Sequence, residues 1–85
     1  MGLFYGKYVI VLQKEDGSYE FYMSISKEYD HIQCTKRIDV AEKFITYNGA
    51  LKVFHEKIEP RMFRYGNDVT EAWILDYKKA MKYNG

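Results

Sequence analysis

Asp39-Val40-Ala41-Glu42-Lys43-Phe44-Ile45-Thr46-Tyr47-Asn48-Gly49-Ala50 is where this sequence turns from strand-like to helical. Ahead of it, aromatic and β-branched residues alternate in short runs; beyond it, apolar residues recur three and four apart. Asp39 has the short polar side chain of an N-cap, and Glu42, three residues on, stands where a capping box needs it. That spacing predicts a brief helical turn with Ala41, Phe44 and Ile45 on one side. Thr46 then caps a second helix from Tyr47 to about Ile58, whose apolar stripe is Tyr47, Ala50, Leu51, Phe54 and Ile58. Pro60 is expected to stop it.

Upstream, Phe4 to Gln13 carries apolar side chains on both faces: Phe4, Tyr8, Ile10 and Leu12 on one, Tyr5, Val9 and Val11 on the other. Such a strand needs cover on both sides. Lys14-Glu15-Asp16-Gly17-Ser18 signals a hairpin, and Tyr19 to Ile25 alternates with Tyr19, Phe21, Met23 and Ile25 facing one way. A two-residue Asp16-Gly17 turn sets Leu12 opposite Phe21 and Ile10 opposite Met23. A three-residue Glu15-Asp16-Gly17 loop with a bulge sets Val11 and Val9 there instead. The first is preferred because it aligns the more apolar faces, and one residue of slip reverses the choice. His31 to Thr35 reads as a short third strand with Ile32 and Cys34 on one side.

Downstream, Met62 to Tyr65 is short and aromatic and reads as a fourth strand. Asp68 and Glu71 repeat the capping-box spacing ahead of a third helix, roughly Val69 to Lys82, with Val69, Trp73, Tyr77 and Ala80 on its buried face. The expectation is one α+β domain over residues 1–85: a small three- or four-stranded, mainly antiparallel sheet packed with two principal helices.

The hairpin followed by Asp39-x-Ala41-x-x-Phe44-x-Thr46-x-x-x-Ala50 resembles a pattern in small uncharacterised phage and prophage proteins of Gram-positive bacteria, over roughly residues 5–58. The resemblance implies no settled activity. It implies a setting in which small proteins bind and redirect a host protein. The shared residues read as structural: caps at Asp39 and Thr46, small residues at Ala41 and Ala50, an aromatic anchor at Phe44. If that ring is buried, Phe44→Ala should cost about 3–5 kcal/mol.

With 85 residues, 47% hydrophobic and 29% charged, the chain falls outside the disordered class and has room for one core. Its net charge of +1 is weak ground for a polyanion partner. The lone Cys34 rules out an internal disulfide and suits a reducing cytoplasm. Neither a signal peptide nor a membrane-length apolar run is visible.

No catalytic, cofactor-binding or metal-binding residues are assigned. His31 follows Asp30 along an extended run, where neighbours point to opposite faces, so the pair is poorly arranged for base catalysis. His55 lies on the polar side of its helix. Cys34 reads as a small buried hydrophobe, and a site of His31, Cys34 and His55 lacks both a fourth ligand and a metal-like spacing. The scattered glycines make no phosphate cradle.

Nine tyrosines are more than a core of this size needs, and tyrosine is enriched at interfaces. Under the preferred register Tyr5, Val9, Val11 and Tyr22 share the sheet face opposite the main core. Either the third helix covers them through Trp73 and Tyr77, or they form an exposed patch for a partner or for self-association. A second surface, Arg61, Arg64 and Tyr65, offers charge and stacking to single-stranded nucleic acid. The functional expectation is a non-catalytic cytoplasmic binding module acting on a protein partner, such as a phage accessory or inhibitor of a host protein, with nucleic-acid binding as the alternative and no membrane role.

Overall fold

The computed structural model describes residues 7–62 and 68–84. Four strands, β1 (Tyr8–Lys14), β2 (Tyr19–Ile25), β3 (Ile32–Thr35) and β4 (Val69–Asp76), form one antiparallel sheet in the order β3-β2-β1-β4. Helical residues follow β3 as α1 (Tyr47–Val53), a π-helical segment (Phe54–Ile58) and α2 (Glu59–Met62). After β4 come α3 (Tyr77–Ala80) and a 3₁₀ turn (Met81–Tyr83). The architecture is α+β, as the residue pattern indicates.

Apolar on both faces, β1 is an inner strand buried on both sides. Ile10 and Leu12 join Tyr22, Ile32, Val69, Ala50 and Ile58 in a core under α1 and the π-helical segment. Val9 and Val11 join Phe21, Ile38, Ala41 and Ala80 in a second core on the reverse face. That face is covered by the 38–41 turn and α3. The Ile38 amide donates to Asn84 Oδ1 at 2.8 Å and the Glu42 amide to the Tyr22 carbonyl at 3.1 Å, fastening the cover down.

The hairpin adopts the three-residue loop rather than the preferred two-residue turn. Val11 opposes Phe21, Leu12 opposes Glu20 and Gln13 opposes Tyr19, with Gly17 at φ +88°. A left-handed glycine closing a three-residue loop outweighed face matching, because both faces of β1 are apolar and either register sets an apolar residue opposite Phe21. Tyr22 therefore lies with Ile10 and Leu12, not with Val9 and Val11. In β2 the pairing to β3 slips between Tyr22 and Ser24, a bulge that returns Ile25 to the side of Tyr22 and breaks the expected alternation.

Three helical expectations need correction. Asp39 caps no helix: its carboxylate pairs with Arg37 at 2.8 Å, residues 38–40 form a turn, and Ile45 is exposed. Phe44 bonds back to Tyr8 as an isolated bridge instead. Pro60 does not stop the helix but lies within α2. The π-helical segment just ahead of it, where the Glu59 amide reaches back five residues to the Phe54 carbonyl, widens the turn that a proline ring would otherwise crowd. Val69–Asp76 is a strand, because pairing along β1 outweighed its helix-like spacing, and only Tyr77–Ala80 of the expected third helix is α-helical. The Thr46 cap is present, its hydroxyl accepting from the Gly49 amide at 3.0 Å. Of the expected Met62–Tyr65 strand, Met62 ends α2 and the rest lies outside the described residues.

Candidate functional site

Arg61, which belongs to the alternative nucleic-acid surface, is engaged within the fold. Its guanidinium donates to Asp30 Oδ1 at 2.6 Å and to the Lys57 carbonyl at 2.8 Å, joining α2 to the β2–β3 turn. Asp30 holds that turn at φ 55°. Val9 and Val11 are wholly buried and Tyr22 is nearly so, which removes all three from the surface. Tyr5, Arg64 and Tyr65 lie outside the described residues.

The other chemically active side chains stand apart. The partly buried Cys34 packs against the core on the α1 side, and burial pushes its pKa up to about 11, away from a reactive thiolate. His55 Nδ1 meets Glu59 Oε1 at 3.0 Å on an exposed helical turn, and the His31 ring lies against Tyr29. Among the described residues no three His, Cys, Asp or Glu side chains cluster as metal ligands, and no helix is long and apolar enough to cross a membrane.

What the fold does present is the outer edge of β4. Sheet edges in native proteins are ordinarily short, charged, bulged or interrupted by proline. β3 at one edge has four residues, whereas β4 at the other has eight, and its stretch Ala72-Trp73-Ile74-Leu75 carries neither charge nor proline. Both ends of β4 are anchored. Lys14 Nζ meets Asp68 Oδ2 at 2.9 Å, and the Glu15 amide donates to the Asp68 carbonyl. At the far end the Tyr77 amide donates to the Lys7 carbonyl at 2.7 Å, and Asp76 Oδ1 accepts from the Lys78 amide.

That Tyr77 bond also sets the direction of the ladder. Main-chain groups of alternate residues point to opposite sides of an antiparallel strand, so Leu75 and Trp73 turn toward β1 and the N–H and C=O of Ala72 and Ile74 turn outward. Among the described residues no strand lies beyond them.

An apolar hollow flanks this edge on each face. On the α1 side Tyr47, Leu51 and Phe54 line one of about 260 Å³ with Ala72 and Ile74. On the α3 side Trp73, Leu75 and Tyr83 line another of about 310 Å³, rimmed by Lys79 and Lys82. Trp73 is 37% exposed and Tyr47 49%. Tyr19 and Tyr83 pack ring on ring at 4.6 Å and support the Trp73 side. The sequence reading missed this site by treating Val69–Lys82 as a helix. The signal for it was the uncharged run Ala72–Leu75 set between Glu71 and Asp76.

No family model matches the chain, and no curated protein or solved structure was found to be similar to it.

Proposed function

We propose that this protein is a non-catalytic, cytoplasmic binding module that takes an extended segment of another polypeptide onto the β4 edge. The observation carrying this reading is an eight-residue edge strand with outward main-chain groups at Ala72 and Ile74 and an apolar hollow on each face. Strand addition supplies main-chain hydrogen bonds, while alternate side chains of the incoming segment enter the two hollows. The sequence resemblance to phage proteins directs the search toward a host protein that the module would redirect.

Ala72→Pro tests the reading, since it removes an outward N–H without touching the ladder to β1, and proline is tolerated on a strand edge. The wild-type chain should retain a stoichiometric protein from lysates of Gram-positive hosts, and the folded variant should lose it. Equal retention by both, or none by either, would overturn the proposal.

A further inference from the structure

We propose that the β4 edge pairs with the β4 edge of a second copy, antiparallel, about a two-fold axis passing beside Trp73. This rests on the reading of that edge as a strand acceptor and names a second copy as a strand it accepts, in competition with any host segment. A two-fold axis normal to the sheet keeps each side chain on its own face, and residues opposite one another in an antiparallel pair share a face. Opposed residue numbers must therefore be of equal parity, and the outward-turned Ala72 and Ile74 must lie in the hydrogen-bonded pairs. Centring on Ala72, Trp73 or Ile74 satisfies both conditions.

Charge and polarity together choose among these. Glu71 is exposed and forms no ion pair among the described residues. Lys79 and Lys82 are likewise exposed and meet no carboxylate there, Lys82 resting over the Tyr83 ring at 5.2 Å. With the axis at Trp73, Glu71 of one copy falls opposite Leu75 of the other, on the face where Leu75, Lys79 and Lys82 border one hollow. The contact occurs twice by symmetry. The same register sets Ala72 opposite Ile74, joining the two α1-side hollows, and Thr70 opposite Asp76, polar against polar. Centring on Ala72 puts Glu71 opposite Trp73 of the same hollow but sets polar Thr70 against apolar Ile74, and centring on Ile74 puts Glu71 opposite Tyr77, which does not line that hollow.

Trp73 is the only tryptophan, so its emission reports on the contact. Sedimentation and fluorescence of the full chain from ~1 to ~500 μM, a range spanning weak and moderate affinities, should show a dimer whose emission shifts to the blue as it forms. Ala72→Pro should be a folded monomer. Glu71→Lys should weaken dimerisation about tenfold, two exposed ion pairs being lost. Combining it with Lys79→Glu and Lys82→Glu should restore association. A wild-type chain that stays monomeric with constant emission overturns the proposal, as does a dimer untouched by Ala72→Pro. If such a monomer still retains a lysate protein in an Ala72→Pro-sensitive way, strand capture stands and only the second copy is excluded. If it retains nothing, both fail.

Discussion

Thr46 is a residue whose role is local and whose contribution can be measured directly. It satisfies the Gly49 amide at the start of α1, and Thr46→Ala should lower stability by about 1 kcal/mol in urea unfolding. Gly17 acts through the backbone instead. At φ +88° with open space around it, an added methyl meets no neighbour but the conformation is strained, so Gly17→Ala should cost about 1 kcal/mol or more. Both roles were visible in the sequence, because a cap before an apolar stripe and a glycine in a hairpin loop are encoded within a few residues.

Cys34 is different, since its state depends on the whole core. Burial raises its pKa from 9.0 to about 11, so the folded chain holds the thiol proton more tightly than the unfolded one. The resulting stability is complete below about pH 9 and is lost as pH rises toward 11. Tyr22, also raised by burial and by nearby Glu42, adds a loss of the same sign above pH 10. The melting temperature of Cys34→Ala should therefore fall less between pH 9 and 11 than that of the wild type. Native Cys34 should also be alkylated far more slowly than the thiol of the urea-unfolded chain.

At the scale of elements, the reading succeeded for α1 and failed for β4. Tyr47 to Ile58 follows a helical period with its cap in place, and local propensity agrees with the packing. Val69, Trp73 and Tyr77 also recur four apart, and Asp68 with Glu71 imitates a capping box, yet pairing along all seven residues of β1 prevailed. Nothing within residues 68–82 discloses that β1 offers a vacant ladder. The Arg61–Asp30 link was hidden for the same reason, lying between groups 31 positions apart. Arg61→Ala should destabilise the protein by about 1–3 kcal/mol in urea unfolding, as a half-buried charge-assisted contact is lost and Asp30 is left with a strained backbone. Arg61→Lys should recover only part of this, because an ammonium cannot reproduce the two-armed contact to Asp30 and the Lys57 carbonyl.

For the whole molecule, the sheet has a core on each face, and the two hairpin registers differ in which core receives which ring. Phe21 is fully buried against Val9, Val11 and Ile38, whereas Phe44 is half-buried at the margin of the other core. Phe21→Ala should cost about 3–5 kcal/mol and Phe44→Ala less, the reverse of the prominence that the Asp39–Ala50 stretch lends Phe44. The two-sided burial of β1 was legible in its composition. The choice of register was not, because a strand apolar on both faces accepts either one.

The inner strand is the earliest described strand in the chain, and its partner β4 is the last. On the ribosome, β1 and the β2–β3 hairpin must therefore wait, with one apolar edge unclaimed, until residues 69–76 have emerged some sixty positions later. Loop closure over that span is slow relative to hairpin formation, so folding should be a late, concerted event that awaits residues 69–76. During synthesis β1 consequently keeps one edge unpaired, and the yield of folded protein should depend on how quickly translation reaches β4.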